Sequence, residues 1–224
     1  MRRAEFQCHD KELLQEILHT TEYGIFALCH DAIPYTLPLN FVWLNEKIYA
    51  HGAKEGKKIE LIHANPNASF SVVKPLSLIP SYFSNTTSAC PATQLFISVH
   101  MQGVLRCVDH VEEKADALNA LMQKLQPEGG YEVIAYSNPI YKKMLETIGV
   151  FEFSPNIISL KLKAGQNLAG EKKRLILEAL EKRGTPLDKL SIKAPYVTQP
   201  LMNNHKALLG CFVAEVFNRV PICN

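Results

Sequence analysis

The densest set of chemistry-bearing residues runs Tyr49-Ala50-His51-Gly52-Ala53-Lys54-Glu55-Gly56-Lys57-Lys58-Ile59-Glu60. A strand-like run ends here, small residues follow, and a helical pattern begins with two lysines in its first turn. The free N–H groups and positive dipole end of a helix start attract an anion. Gly52 and Gly56 would let the backbone come close to a ligand, and Lys57 and Lys58 add positive charge. Cations in a first turn oppose the helix dipole, so two in succession need a reason. On these residues alone two readings stand open: a seat for a phosphate, or a solvated basic turn. The segment is not a Walker loop, because the G-x-x-x-x-G-K-[ST] spacing is absent, nor is it a dinucleotide fingerprint.

The elements around this segment have to position it. Asp10 followed by Leu13, Leu14, Ile17 and Leu18 predicts an N-capped amphipathic helix. Tyr23–His30 reads as a strand, Asp31-Ala32 as a turn, and Pro34–Trp43 as the next strand. Proline cannot donate to a ladder, so Pro34 and Pro38 predict that this strand is open on one side or bulged. Its backbone is therefore available to something other than a neighbouring strand. Asn45-Glu46 predicts a second tight turn, and residues 47–51 the third strand.

A helix with Ile59, Leu61 and Ile62 on its apolar side follows, then a strand over 68–74. Residues 75–93 carry three prolines, many Ser/Thr and no charge, which predicts a long loop. A strand over 94–108 is expected next, with Gly103 at a bulge or close approach. The spacing then predicts helices over 111–125 and 139–148, a strand or strand pair over 150–163, and helices over 168–183 and 203–218. About six strands with short helices between them predict a small antiparallel barrel with helical decoration over 1–164 and a helical extension over 165–224.

Composition narrows the function classes. The 224 residues include 24 Lys/Arg and 22 Asp/Glu, a formal charge of +2, with 47% apolar residues, which describes a globular chain. Residues 165–224 hold nine Lys/Arg against five Asp/Glu, too small a surplus for a nucleic-acid footprint. Lys172-Lys173-Arg174 and Lys182-Arg183 alternate with Leu175, Ile176, Leu177 and Leu180 at the spacing of an ordinary surface helix. The longest apolar stretches fall short of the roughly 20 residues that span a bilayer. Charges close to Met1 leave no apolar secretory core. Six scattered cysteines with no C-x-x-C pair predict reduced, mostly buried thiols, no zinc site and a cytoplasmic setting.

Several further segments sit in register with the basic turn. Met1-Arg2-Arg3, then Pro34-Tyr35-Thr36-Leu37-Pro38-Leu39-Asn40-Phe41, then Ile48-Tyr49-Ala50-His51-Gly52-Ala53-x-x-Gly56-x-Lys58 occur in order. Cys90, Thr93, Phe96-Ile97-Ser98-Val99 and Gly103 follow, and then a helix opening Glu112-Glu113-Lys114. Over 1–164 this pattern resembles the FMN-binding split-barrel family related to pyridoxamine 5′-phosphate oxidase, and especially its nitroimidazole-resistance (Nim-like) branch. The resemblance implies a split antiparallel β-barrel and a homodimer that binds FMN at the subunit interface. It also implies an oxidoreductase that reduces a small molecule, with nitro-aromatics as the candidate class. By the same resemblance the isoalloxazine strand matches Thr36, Pro38, Leu39 and Asn40. The phosphate turn matches His51, Gly52, Ala53, Lys57 and Lys58, and Ser98 matches a polar position near the flavin. His51 is a candidate proton donor by that match, since an imidazole titrates near neutrality; a packing or phosphate-binding role is the alternative. His100 and Gln102 share one face of their strand. Cys90 reads as structural rather than redox-active. The C-terminal Arg and His that grip substrate phosphate in the oxidases proper have no counterpart here, which counts against vitamin B6 oxidation. A flavin-sensing module and a haem protein using His205 are the other readings.

Overall fold

The computed structural model describes residues 3–84, 86–168 and 170–194. The expected helix over 203–218 and His205 lie outside them. A two-residue strand β1 (Gln7–Cys8) precedes helix α1 (Lys11–Thr20). Asp10 Oδ1 accepts the Glu12 N–H at 2.9 Å, the expected cap, and Leu13, Ile17 and Leu18 form the buried side.

Strands β2 (Tyr23–His30), β3 (Ile33–Leu44) and β4 (Lys47–Gly52) form an antiparallel meander. Asp31 and Ala32 have φ of +50° and +61°, and Asn45 and Glu46 have +51° and +60°. Two successive left-handed residues make the mirror-image turn whose twist matches that of paired strands. Both turns therefore fall where the residue types place them.

Helix α2 (Lys57–Ala64) leads to β5 (Asn67–Ile79), β6 (Thr93–Cys107), α3 (Val111–Leu125), α4 (Pro139–Thr147) and β7 (Gly149–Lys163). Helices α5 (Gly170–Arg183) and α6 (Pro186–Lys193) follow. The seven strands run in the order β1-β7-β4-β3-β2-β5-β6, and β6 also pairs with β7. That last pairing partly closes the sheet into the expected antiparallel barrel.

Two expectations are corrected. The long loop over 75–93 is shorter, because β5 continues through Pro75 to Ile79. Pro75 is exposed, while Leu76 and Ile79 are buried and carry the strand onward. The described thiols are not mostly buried: Cys8 and Cys107 are half-buried, and Cys29 and Cys90 are exposed. Cys29 falls on the outward phase of β2, beside buried Leu28. The described residues form two compact units. One unit comprises 13–73 and 98–160; the other comprises 3–12, 74–97 and the described part of 161–224.

The first unit has an aromatic centre. The Phe26, Phe41 and Phe153 rings lie around Phe70, with centroids 4.8, 4.9 and 6.2 Å from it. A second cluster sets Val42 and Tyr49 against Ala117, Leu118 and Leu121 of α3. Gly103 is a close approach, since a Cβ there would lie 2.1 Å from the Ser154 carbonyl oxygen. In the other unit, Leu76, Ile79, Leu95, Leu162, Ile176 and Leu180 are buried.

Candidate functional site

β3 changes partners along its length. Residues 33–40 pair with β2, from His30↔Ile33 to Tyr23↔Asn40. Pairing with β4 covers only Phe41↔Ala50 to Leu44↔Lys47. The two strands part immediately before Phe41, so residues 33–40 have a registered neighbour on one side only. Pro34 and Pro38 are tolerated for this reason, as their positions predict.

Alternation sorts the side chains of this segment. Leu37 and Leu39 point inward, where they line a small apolar pocket with Phe26, Phe151 and the stem of Lys58. Thr36 and Pro38 are exposed on the other side, and half-buried Asn40 donates its amide to the Glu22 carbonyl at 3.2 Å. Of the four candidates on β3, Leu39 therefore offers a ligand its backbone rather than its side chain.

Across the split, β4 ends in His51 and Gly52, which pair with Val150 and Gly149 of β7. His51 is half-buried, and burial holds its imidazole below the ordinary histidine value. Burial therefore disfavours the imidazolium at this position.

Ala53 is exposed and starts the turn. Gly56 caps α2 with φ of +96°, a conformation that favours glycine, and supplies no side-chain acceptor. The Ile59 and Glu60 N–H groups both reach the Gly56 carbonyl. The Lys57 and Lys58 N–H groups have no acceptor among the described residues and lie at the dipole's positive end. The Lys57 ammonium lies 3.7 Å from Glu60 in an exposed pair, which is a weak interaction. Lys58 Nζ donates to the Ala53 carbonyl at 2.8 Å and lies 5.1 Å from the Phe151 ring centroid. It clamps the turn that precedes its own helix.

Ser98 lies on β6, between buried Ile97 and Val99, and so faces outward with His100 and Gln102. His100 Nδ1 and Ser71 Oγ are 2.8 Å apart. Ser71 pairs with Ile25, and Ile25 with Pro38. One outward row therefore runs from Pro38 through Ile25 to Ser71 and His100. Tyr23 (59% exposed) and Ile25 (51%) make that face apolar. Cys90 is exposed, and its N–H donates to Ser88 Oγ at 3.3 Å.

Two supporting groups escaped the sequence reading. Lys124 of α3 donates to the Leu18 and Phe41 carbonyls at 2.9 and 2.8 Å. It ties α3 to the residue where β3 meets β4, and burial holds its ammonium down to about 8. Glu152, opposite Tyr49 on β7, gathers Lys47, Arg106, Tyr49 and Ser154. Their residues are remote in sequence, so no local motif announces them.

A partly closed barrel that splits beside an uncapped, lysine-bearing helix start is a split barrel. The chain belongs to the pyridoxamine 5′-phosphate oxidase family, whose profile matches residues 10–162. No curated protein matches it. Similar solved structures include a protein assigned to 5-nitroimidazole antibiotic resistance from Bacteroides thetaiotaomicron. That match has 20% identity and a TM-score of 0.57, and covers 69% of this chain and 85% of that one. The flavocytochrome Anf3 from Azotobacter vinelandii is 22% identical, with a TM-score of 0.63 over 74% of this chain and 72% of its own. An FAD- and haem-binding protein from Mycobacterium smegmatis is 18% identical, with a TM-score of 0.60 over 71% and 74%. These likenesses establish the fold. Among the described residues no helix is long and apolar enough to cross a membrane.

Proposed function

We propose that this protein is an FMN-dependent oxidoreductase of the Nim-like kind, acting in the cytoplasm as a homodimer on a small, nitro-aromatic class of substrate. The observation that carries the reading is the unpaired edge of residues 33–40 facing a helix start with two free N–H groups and two lysines. The flavin's pyrimidine edge needs both donors and acceptors, which an open strand edge provides. Its phosphate needs N–H groups and positive charge, which Lys57 and Lys58 provide. The outward apolar row through Ile25 suits a second copy, which would cover the cofactor from the other side.

A bound flavin supplies two-electron transfer, and the protein's part is orientation and proton supply. Thr36, Pro38, Leu39 and Asn40 orient the ring system through the strand edge. Gly52 and Ala53 let the backbone approach, and Ser98 adds a hydroxyl on the outward face. His51 donates a hydrogen bond as a neutral imidazole. An anion beside it raises its pKa, so it becomes a better proton carrier when negative charge develops there.

Protein purified without added cofactor is expected to show the visible absorbance of an oxidised flavin, bleached by a reductant. The Lys57→Ala/Lys58→Gln variant keeps a donor for the Ala53 carbonyl but removes both charges. It is expected to bind FMN at least about tenfold more weakly, since a charge-assisted contact contributes about 1.5–3 kcal/mol. Unchanged affinity would refute the phosphate assignment, and a Soret band in place of a flavin spectrum would favour haem. His51→Ala is expected to retain FMN and to reoxidise more slowly with a nitro-aromatic acceptor. Equal rates would leave His51 a packing residue.

A further inference from the structure

The unit made of 3–12, 74–97 and 161–194 holds a pocket of about 210 Å3 that none of the proposed flavin residues lines. Phe6, Ile79 and Leu95 form its apolar wall and are 4%, 2% and 3% exposed. Arg3, Lys163 and Lys172 supply positive charge, and no carboxylate is among the lining side chains.

The charge is unbalanced at short range. No acidic partner is found for Arg3, Lys163 or Lys172 among the described residues, and the nearby Glu171 is engaged with Arg174. Lys163 Nζ donates to the neutral Thr93 hydroxyl. Lys161 adds a fourth cation on the same strand, 5.1 Å from the centroid of the Phe96 ring, which Lys163 approaches at 5.8 Å. Burial, then repulsion from Lys161 and Arg3, pushes the Lys163 ammonium below its ordinary value. Cations that gather without a counter-charge against a dry wall are relieved by an anion with an apolar body.

Size and charge define that anion. A cavity of about 150 Å3 holds one benzene ring, so this one takes a single ring or short chain plus a headgroup. Three lining cations and a hydroxyl suit a doubly charged oxyanion better than a single charge. We propose that this pocket binds a small organic dianion, its oxyanion head on Arg3, Lys163 and Lys172 and its apolar body against Phe6, Ile79 and Leu95.

Phenyl phosphate is the probe, titrated calorimetrically into the full-length protein. Saturable binding is expected, at least about tenfold weaker in Lys163→Gln/Lys172→Gln and unchanged in Lys57→Ala/Lys58→Gln. Lys172→Gln alone, at an exposed position, should weaken binding without disturbing the fold. Inorganic phosphate and benzyl alcohol, each carrying half of the chemistry, should both bind at least about tenfold more weakly than phenyl phosphate. Absence of saturable binding would overturn the proposal, as would equal affinity in the Lys163/Lys172 variant. Inorganic phosphate binding as tightly would remove the apolar wall from the account. Loss in the Lys57/Lys58 variant instead would place the ligand at the flavin seat and defeat the assignment, leaving the flavin reading intact.

Discussion

Glu152→Ala is expected to destabilise the protein by about 3 kcal/mol at neutral pH, read as a lowered urea midpoint with an unchanged slope. The Glu152 side chain is only 3% exposed. It accepts from Lys47 Nζ at 2.9 Å, Ser154 Oγ at 2.7 Å and Tyr49 Oη at 3.2 Å, and from the Arg106 guanidinium. Removing one member of a buried pair costs about 3–5 kcal/mol when the charge left behind stays dry. Here Lys47 and Arg106 are 38% and 45% exposed, and Arg106 keeps Glu113 at 2.6 Å. Water can reach both stranded cations, which puts the effect at the lower end of that range. A variant within about 0.5 kcal/mol of the parent would mean that the cluster contributes no more than an exposed ion pair.

The same group makes stability depend on pH. Burial alone would raise the Glu152 pKa, but bonds from Arg106, Lys47 and Ser154 outweigh it and hold the carboxylate at about 2. Its folded pKa lies below the ordinary glutamate value, so the folded state binds fewer protons than the unfolded one. The contribution is complete above about 4.5 and is lost as pH falls towards 2. The parent is therefore expected to weaken across that interval more steeply than Glu152→Ala. Parallel urea midpoints for the two proteins between pH 5 and about 2.5 would disprove the linkage. The position also bears on the candidate site: Glu152 pairs with Tyr49, two residues before His51 on β4. The ion cluster holds the strand that presents the imidazole.

The hairpins, the split and the helix start were legible because each rests on local chemistry. Asp31-Ala32 and Asn45-Glu46 fall between alternating apolar runs, and Pro34 and Pro38 marked β3 as half-paired. The helix start needs only the order of small residues and lysines around Gly56. Pro75 misleads for the opposite reason: proline suggests a break, yet an exposed one can stay in the strand while Leu76 and Ile79 remain buried. The cysteines mislead because their apolar type suggests burial, whereas strand phase decides it for Cys29. Helix α6 was missed although its signal was present, since Thr185-Pro186-Leu187-Asp188 spells a capping box with proline in the first turn. Glu152 and Lys124 could not be found locally, because strand register and helix packing bring their partners together.

Asp188→Ala is expected to have an effect as large, about 3–5 kcal/mol, felt first in the unit that contains α5 and α6. Asp188 is fully buried and serves three elements at once. It accepts from Arg183 Nη2 and Nε of α5 at 2.5 and 2.8 Å, from Ser77 Oγ of β5 at 2.7 Å, and from the Thr185 N–H at 3.1 Å. Arg183, then burial opposed by Ser77 and Thr185, leaves its carboxyl well below the usual carboxylate range. Alanine removes the N3 half of the capping box, leaves the Ser77 hydroxyl only the 3.3 Å contact to the Leu187 carbonyl, and strands a guanidinium that is 26% exposed. The Asp188→Asn variant separates these effects, since it keeps the shape and the cap acceptor but not the charge facing Arg183. It should recover part of the loss. Limited proteolysis is the sharper measurement, because α5 and α6 are expected to become cleavable in Asp188→Ala at a temperature where the parent resists. α5 also lends Lys172 and Ile176 to the cationic pocket. Loosening this anchor should therefore lower phenyl phosphate affinity as well, without any change to a pocket-lining residue. An Asp188→Ala protein with parental protease resistance would show that apolar packing of Ile176 and Leu180 alone holds the helices in place.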